Sequence, residues 1–123
     1  MSAGNLYHYR ATLRRVVDGD TIDVDVDLGF NIKYSERVRF LGVNTPESRT
    51  RDLEEKKRGL AAKAFVETWL EEKTGNQPII QTTVDKKGKF GRILGRILSE
   101  DGECLNDTLL TEGHAVVYDG GKR

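Results

Sequence analysis

The sequence predicts a small α+β chain that is mainly β: a five-stranded Greek-key barrel of the OB type carrying two helices. Three observations lead there. Ile22, Val24, Val26 and Leu28 alternate strictly with Asp23, Asp25 and Asp27, the period of a strand with one buried face. One long helical stretch, Asp52 to Lys73, follows the third extended segment, where barrels of this type place a helix. Turn signals at Gly19, Gly29-Phe30-Asn31, Thr74-Gly75-Asn76 and Asp101-Gly102 divide the rest into short pieces.

Taken in order, Tyr9 to Val17 alternates roughly among Arg, Thr, Val and Leu and reads as the first strand. Ile22 to Leu28 is the second, with its aspartates on the wet face. Tyr34 to Val43 returns as the third, with Val38, Phe40 and Leu41 available for the core, and the three form a meander. In the long helix, Leu60, Ala61, Ala64, Phe65, Thr68 and Trp69 give one apolar stripe. Asp52 and Glu55 read as a capping pair at its start, and Gly75 with Pro78 beyond it supplies the stop. Gln77 to Val84 and Lys89 to Leu98 are the fourth and fifth strands. A short helix from about Leu105 to Glu112 is closed by Gly113, and Val116 to Tyr118 is a last extended piece. The expectation is one domain over residues 1–123, with flexible ends at 1–8 and 119–123.

Composition bounds the function classes. A chain of 123 residues with 37% apolar content supports one modest core. Lys plus Arg equals Asp plus Glu, 20 against 20, so net charge does not steer the chain towards polyanions. Any nucleic-acid affinity has to come from local patterning, such as Arg10, Arg14 and Arg15, Lys33, Arg37 and Arg39, or Lys86 to Arg96. Cys104 is single, which excludes an internal disulfide and reads as a small core residue. No stretch approaches the ~18 apolar residues of a membrane span. The expectation is therefore a cytoplasmic monomer with no membrane partner, or a secreted one if a leader precedes this sequence.

Two stretches carry chemistry. Asp18-Gly19-Asp20-Thr21 opens a strand with two carboxylates around a glycine, and Arg39 to Glu47 ends one with an arginine, an amide, a hydroxyl and a glutamate. Asp20, Asn44 and Thr45 could offer a carboxylate, an amide oxygen and a backbone carbonyl to a hard cation such as Ca²⁺. Taken alone, the first stretch is more often a turn than a ligand set. An EF-hand reading of Asp23, Asp25 and Asp27 fails, because Leu28 stands where the loop needs glycine and Tyr34 where it needs glutamate. Arg39 and Arg92 offer planar forks that match phosphate oxygens, though Arg39 could also serve a surface ion pair. Glu47 could act as a general base on a water, or be plain exposed loop. The two histidines, His8 and His114, are far apart, and a zinc site is not expected.

These residues name a family. In the order Asp18-Gly19-Asp20-Thr21, Arg39-Phe40-Leu41 through Thr45-Pro46-Glu47, Gly59 to Phe65, Lys89-Phe90-Gly91-Arg92 and Asn106 to Gly113, the chain resembles the staphylococcal nuclease (thermonuclease) family from about Arg10 to Tyr118. The resemblance implies an OB-fold domain with Ca²⁺-dependent hydrolysis of DNA and RNA phosphodiesters, leaving 3′-phosphate ends. It implies Asp20 and the Thr45 carbonyl as metal ligands, Arg39 and Arg92 as phosphate-binding arginines, and Glu47 as general base. It implies Phe90 and Tyr118 as substrate contacts and Asp18 as a residue behind the metal ligands.

Three departures from the family pattern follow. Asn44 stands where the family commonly has an aspartate ligand, which weakens metal affinity or changes the preferred divalent cation. The hairpin around Asp27 to Glu36 is longer. The sequence ends soon after the last short strand, so the family's third helix is not expected. The leading expectation is a metal-dependent nuclease of low sequence specificity acting on nucleic acid. The alternative, favoured by Asn44, is a barrel that binds nucleic acid or protein without cutting.

Overall fold

The computed structural model describes residues 8–48, 50–84 and 93–118. Its elements are β1 (His8–Asp18), β2 (Thr21–Asp27), β3 (Lys33–Phe40), β4 (Val43–Asn44), α1 (Leu53–Thr74), β5 (Ile79–Val84), β6 (Ile93–Leu98), α2 (Leu105–Thr111) and β7 (Val116–Val117). Five strands close into a barrel in the order β1-β2-β3-β6-β5, with β1 pairing back onto β5. β3 and β6 are parallel; the other barrel pairings are antiparallel. The predicted five-stranded α+β barrel with two helices is what forms.

The barrel fills with the apolar half of each alternating strand. Ile22, Val24, Val38, Phe40, Ile80 and Ile97 point inward and are buried. Leu105 and Leu109 of α2 and Val66, Trp69 and Leu70 of α1 close the same cluster. Asn106 is the polar exception. Its amide donates to the carbonyls of Leu41 and Gly95 and its oxygen accepts from the Ile97 N–H, so a buried side chain is fully satisfied while it ties α2 to β6 and to the turn after β3.

Register irregularities shape the outer surface. β1 shifts register between Leu13 and Arg15 and again between Val16 and Asp18. Such bulges re-aim side chains, and here Arg14 and Arg15 are both exposed.

Several expectations need correction. The third strand does not run to Val43. It stops at Phe40, Gly42 adopts φ +79, and Val43–Asn44 leaves the barrel to pair with β7. Leu41, on that turn, is 37% exposed, and Leu28, at the hairpin end, is 45% exposed, so neither is core. The buried line of α1 is Gly59, Ala62, Val66, Trp69 and Leu70, while Leu60, Ala61, Ala64 and Thr68 face outward. The reason is steric: a Cβ on Gly59 would sit 2.4 Å from the Glu47 carbonyl oxygen, so the helix presents its glycine where it meets the 47–48 peptide. The fifth strand is described from Ile93 onward.

Candidate active site

At one end of the barrel, the β1–β2 turn, the end of β3 and the β4 segment meet. Thr21 pairs with Arg39, and the Phe40 N–H donates to the Asp20 carbonyl at 2.8 Å, so the turn and the strand end are locked side by side. The Thr45 N–H donates to Asp20 Oδ2 at 3.2 Å, which brings the β4 exit onto the same carboxylate. Gly19 makes room for this: a Cβ there would lie 2.8 Å from Ala62 Cβ and 2.9 Å from Thr45 Oγ1. Two glycines thus let the 45–48 loop lie between the β1–β2 turn and α1.

The polar groups converge on one guanidinium. Arg39 Nη1 lies 3.1 Å from Asp20 Oδ2, and Arg39 Nη2 donates to Asn44 Oδ1 at 3.2 Å. Asp20 Oδ1 accepts from the Thr21 hydroxyl at 3.0 Å. The Tyr118 ring lies against Arg39, with Cζ 5.2 Å from its centroid, a cation–π distance. Tyr118 itself is fixed by its N–H donating to the Gly42 carbonyl at 2.9 Å. Of the residues expected in the site, Asp20, Arg39, Asn44, Thr45 and Tyr118 are therefore brought together.

Asp18 and Glu47 stand beside this group. Asp18 Oδ1 accepts from the Ser48 hydroxyl at 2.6 Å, holding the loop that carries Glu47. Glu47 is exposed, and its N–H donates to Glu55 Oε2 at 3.2 Å. This corrects the expected capping pair. Asp52 caps α1 by accepting from the Glu54 and Glu55 N–H groups, but the Glu55 carboxylate accepts from the Glu47 N–H, while the Asp52 N–H donates to the Thr50 hydroxyl. Arg92 and Phe90 lie outside the described residues. Ile93, which follows Arg92, pairs with Val38, the residue before Arg39.

The donor set bears on whether a cation suits the site. Asp20 and Asn44 aim hard oxygens at the two ends of one guanidinium, so the oxygens themselves converge. Among the described residues no group of three or more His, Cys, Asp or Glu could hold a metal. One carboxylate with neutral oxygens fits an oxygen-seeking divalent cation held weakly, with Arg39 competing for the same atoms. The Thr45 hydroxyl is buried without a hydrogen-bond partner, and a Cβ on Gly19 would lie 2.9 Å from it.

Sequence reasoning missed the supporting residues. Thr21 closes the first motif but has no role of its own in that reading, and Ser48 carries no signal beyond being a small hydroxyl beside a motif residue. Gly59 had one: a glycine in the middle of a helix costs stability unless something approaches closely. A hollow beside Asn44 is lined by Thr45, Glu55, Arg58 and His114 among others, and His114 stacks on Phe65 with centroids 4.7 Å apart.

Comparisons with known proteins bear on this geometry. Residues 37–123 match the family model described as staphylococcal nuclease homologue. The chain is 35% identical to the thermonuclease of Staphylococcus intermedius, over 84% of this chain and 56% of that protein. It is 29% identical to the endonuclease YhcR of Bacillus subtilis (strain 168), over 89% of this chain and 9% of that protein. It is 32% identical to an uncharacterized protein of Methanocaldococcus jannaschii, over 90% of this chain and 60% of that protein. The chain spans less than two thirds of the length of each of these relatives.

Proposed function

This chain belongs to the staphylococcal nuclease family, and from that premise we propose that it is a Ca²⁺-dependent nuclease cutting DNA or RNA phosphodiesters with low sequence specificity and leaving 3′-phosphate ends. The observation that carries the reading is the convergence of Asp20, Asn44 and Tyr118 on the Arg39 guanidinium. An arginine held on three sides has little freedom left to lose when it grips a phosphate.

In this reading Arg39, with Arg92, binds the scissile phosphate and neutralises the charge that builds on its oxygens as water attacks. Glu47, exposed on a loop pinned by Asp18–Ser48 and by Glu55, accepts the proton of the attacking water. The water oxygen bonds to phosphorus as the phosphorus–O5′ bond breaks, the phosphate stays on the 3′-oxygen, and the departing O5′ takes a proton from solvent to become the 5′-hydroxyl. Asp20, Asn44 and the Thr45 carbonyl would hold a divalent cation, which supplies Lewis-acid polarisation of the phosphate and a more acidic water. Arg39 gives up part of its hold on Asp20 and Asn44 as it takes phosphate oxygens instead.

The test is incubation of purified protein with single- and double-stranded DNA and with RNA, in millimolar Ca²⁺ and in EDTA. Cleavage in Ca²⁺ alone, with 3′-phosphate ends, is the expected result. Intact substrate at high protein concentration would overturn the reading. Asn44 favours one rival, a module that binds nucleic acid without cutting, because it leaves a single formal charge at the cation position. Oligonucleotide binding that persists in EDTA, with no cleavage in Ca²⁺ or Mn²⁺, would establish that rival.

A further inference from the structure

The outer face of the barrel next to Arg39 holds a groove of about 560 Å³ lined by Arg14, Arg15, Asp23, Ser35, Glu36 and Arg37. Arg37 precedes Arg39 by two residues on β3, so both project to the same face, about 7 Å apart along the strand. The β1 bulge turns Arg14 and Arg15 outward into the same groove. Asp23 organises two of the three guanidinium groups. Arg37 Nε and Nη2 lie 2.8 and 3.3 Å from its two oxygens, and Arg15 Nε lies 3.4 Å from Oδ2. Arg14 sits against Asp25 and the Ser35 hydroxyl. Glu36, at the edge, accepts from the Tyr34 hydroxyl and the Arg37 N–H.

Arg37 thus meets Asp23 side-on through Nε and Nη2, which leaves its outer fork free. Arg15 meets Asp23 through Nε, which leaves both terminal nitrogens free. All three arginine side chains are more than half exposed. A carboxylate that pre-orients two forks without using their outer donors is an arrangement suited to a planar, multi-oxygen anion.

We infer that this groove binds the phosphodiester backbone flanking the scissile bond, with Arg37 and Arg15 each gripping a phosphate of a single strand that continues from Arg39. The inference rests on the nuclease reading for the identity of the strand. It makes the substrate an extended polynucleotide rather than a dinucleotide and accounts for phosphate affinity in a chain with no net charge. Asp23 is a positioning residue for both arginines. The strand that occupies the groove makes backbone contacts there and leaves its bases unread, as a low-specificity binder requires.

The experiment compares fluorescein-labelled dT12 and dT3 by anisotropy in EDTA across a salt series, for the wild type and for Arg15→Gln/Arg37→Gln. The expected result is tighter wild-type binding of dT12 and a roughly tenfold loss for dT12 in the variant. The slope of log affinity against log salt should fall by about 1.4 for dT12, two single-strand phosphates, with a clearly smaller loss for dT3, which is too short to reach both arginines from Arg39. A variant that keeps its dT12 affinity and slope overturns the inference, as does equal loss for both lengths. Adding Asp23→Asn to the double variant leaves no carboxylate without its partners, and thermal unfolding of both variants checks the fold. A wild type that shows the length and arginine effects but cuts nothing in Ca²⁺ sinks the nuclease reading alone.

Discussion

Nη1 of Arg39 and Oδ2 of Asp20 lie 3.1 Å apart, with 17% and 12% of the two side chains exposed. Removing one partner of so buried a pair leaves an uncompensated charge, which costs about 3–5 kcal/mol where nothing else takes it up. Here Thr21 and Thr45 still donate to Asp20, so the lower end applies. Arg39→Ala should lower stability by roughly 3 kcal/mol. Arg39→Lys should cost less than half of that, because the charge stays. Both should lose at least about two orders of magnitude in cleavage rate, because lysine cannot fork. Urea unfolding and initial rates measure the two effects, and a lysine variant with the wild-type rate would remove Arg39 from the chemistry.

Asn44 Oδ1 accepts from Arg39 Nη2. Asn44→Asp adds a second carboxylate beside Asp20 and should raise Ca²⁺ affinity roughly tenfold, since charge count tunes such sites. Calorimetric titration with Ca²⁺ reads this directly. Unchanged affinity would mean that residue 44 does not touch the ion.

Gly59 meets the Glu47–Ser48 peptide with no space for a side chain. Alanine normally gains about 1 kcal/mol over glycine in a helix. At this position overpacking of about 1–3 kcal/mol should outweigh that gain. Gly59→Ala should therefore unfold at lower urea and lose turnover, because the displaced loop carries Glu47. A variant more stable than wild type would show that the loop yields freely.

Asp23 titrates below its ordinary 3.8, chiefly because Arg37 hydrogen-bonds its ionised form, with burial opposing and Arg15 and Arg14 assisting. A folded-state value below the unfolded one means that the stabilisation is present above 3.8 and is lost as pH falls through the lower folded value. Asp23→Asn should thus be less stable than wild type at neutral pH, and the gap should close in acid. Urea midpoints from pH 7 down to pH 2 test this; a constant gap would mean that the Arg37 pair adds nothing to folding.

The barrel was legible because its signals are local. Strict alternation from Ile22 to Val26 fixes which side of β2 is wet, and the cap and stop around α1 sit where Asp52 and Gly75 stand. What stayed hidden depends on contacts far apart in the chain. The turn at Gly42 exists because Val43–Asn44 finds β7, more than 70 residues on, and an unbroken β3 is what local reading gives without that partner. Leu60 counted as core because leucine outranks glycine in any apolar count, yet the close approach of the 47–48 peptide turns Gly59 inward. At the site, Asp20, Asn44 and Arg39 could be named from spacing, but not that one guanidinium would gather the other two. The work of Ser48 and Thr21 follows only from that three-dimensional meeting.

The pairing of β1 with β5 joins His8 to Gln81, and β6 must slot between β3 and β5 before the cylinder is complete. Contacts of such long sequence separation form slowly, on the order of milliseconds to seconds in barrels of this kind. Trp69, the single tryptophan, is buried and should report this as a slow fluorescence change on refolding from urea. During synthesis the three-strand meander waits with β1 open until β5 has left the ribosome, and with β3 open until β6, which ends at Leu98, has followed. Over that interval those bare edges, and not the finished molecule, are where the chain is most exposed to strand-to-strand aggregation and most dependent on chaperones.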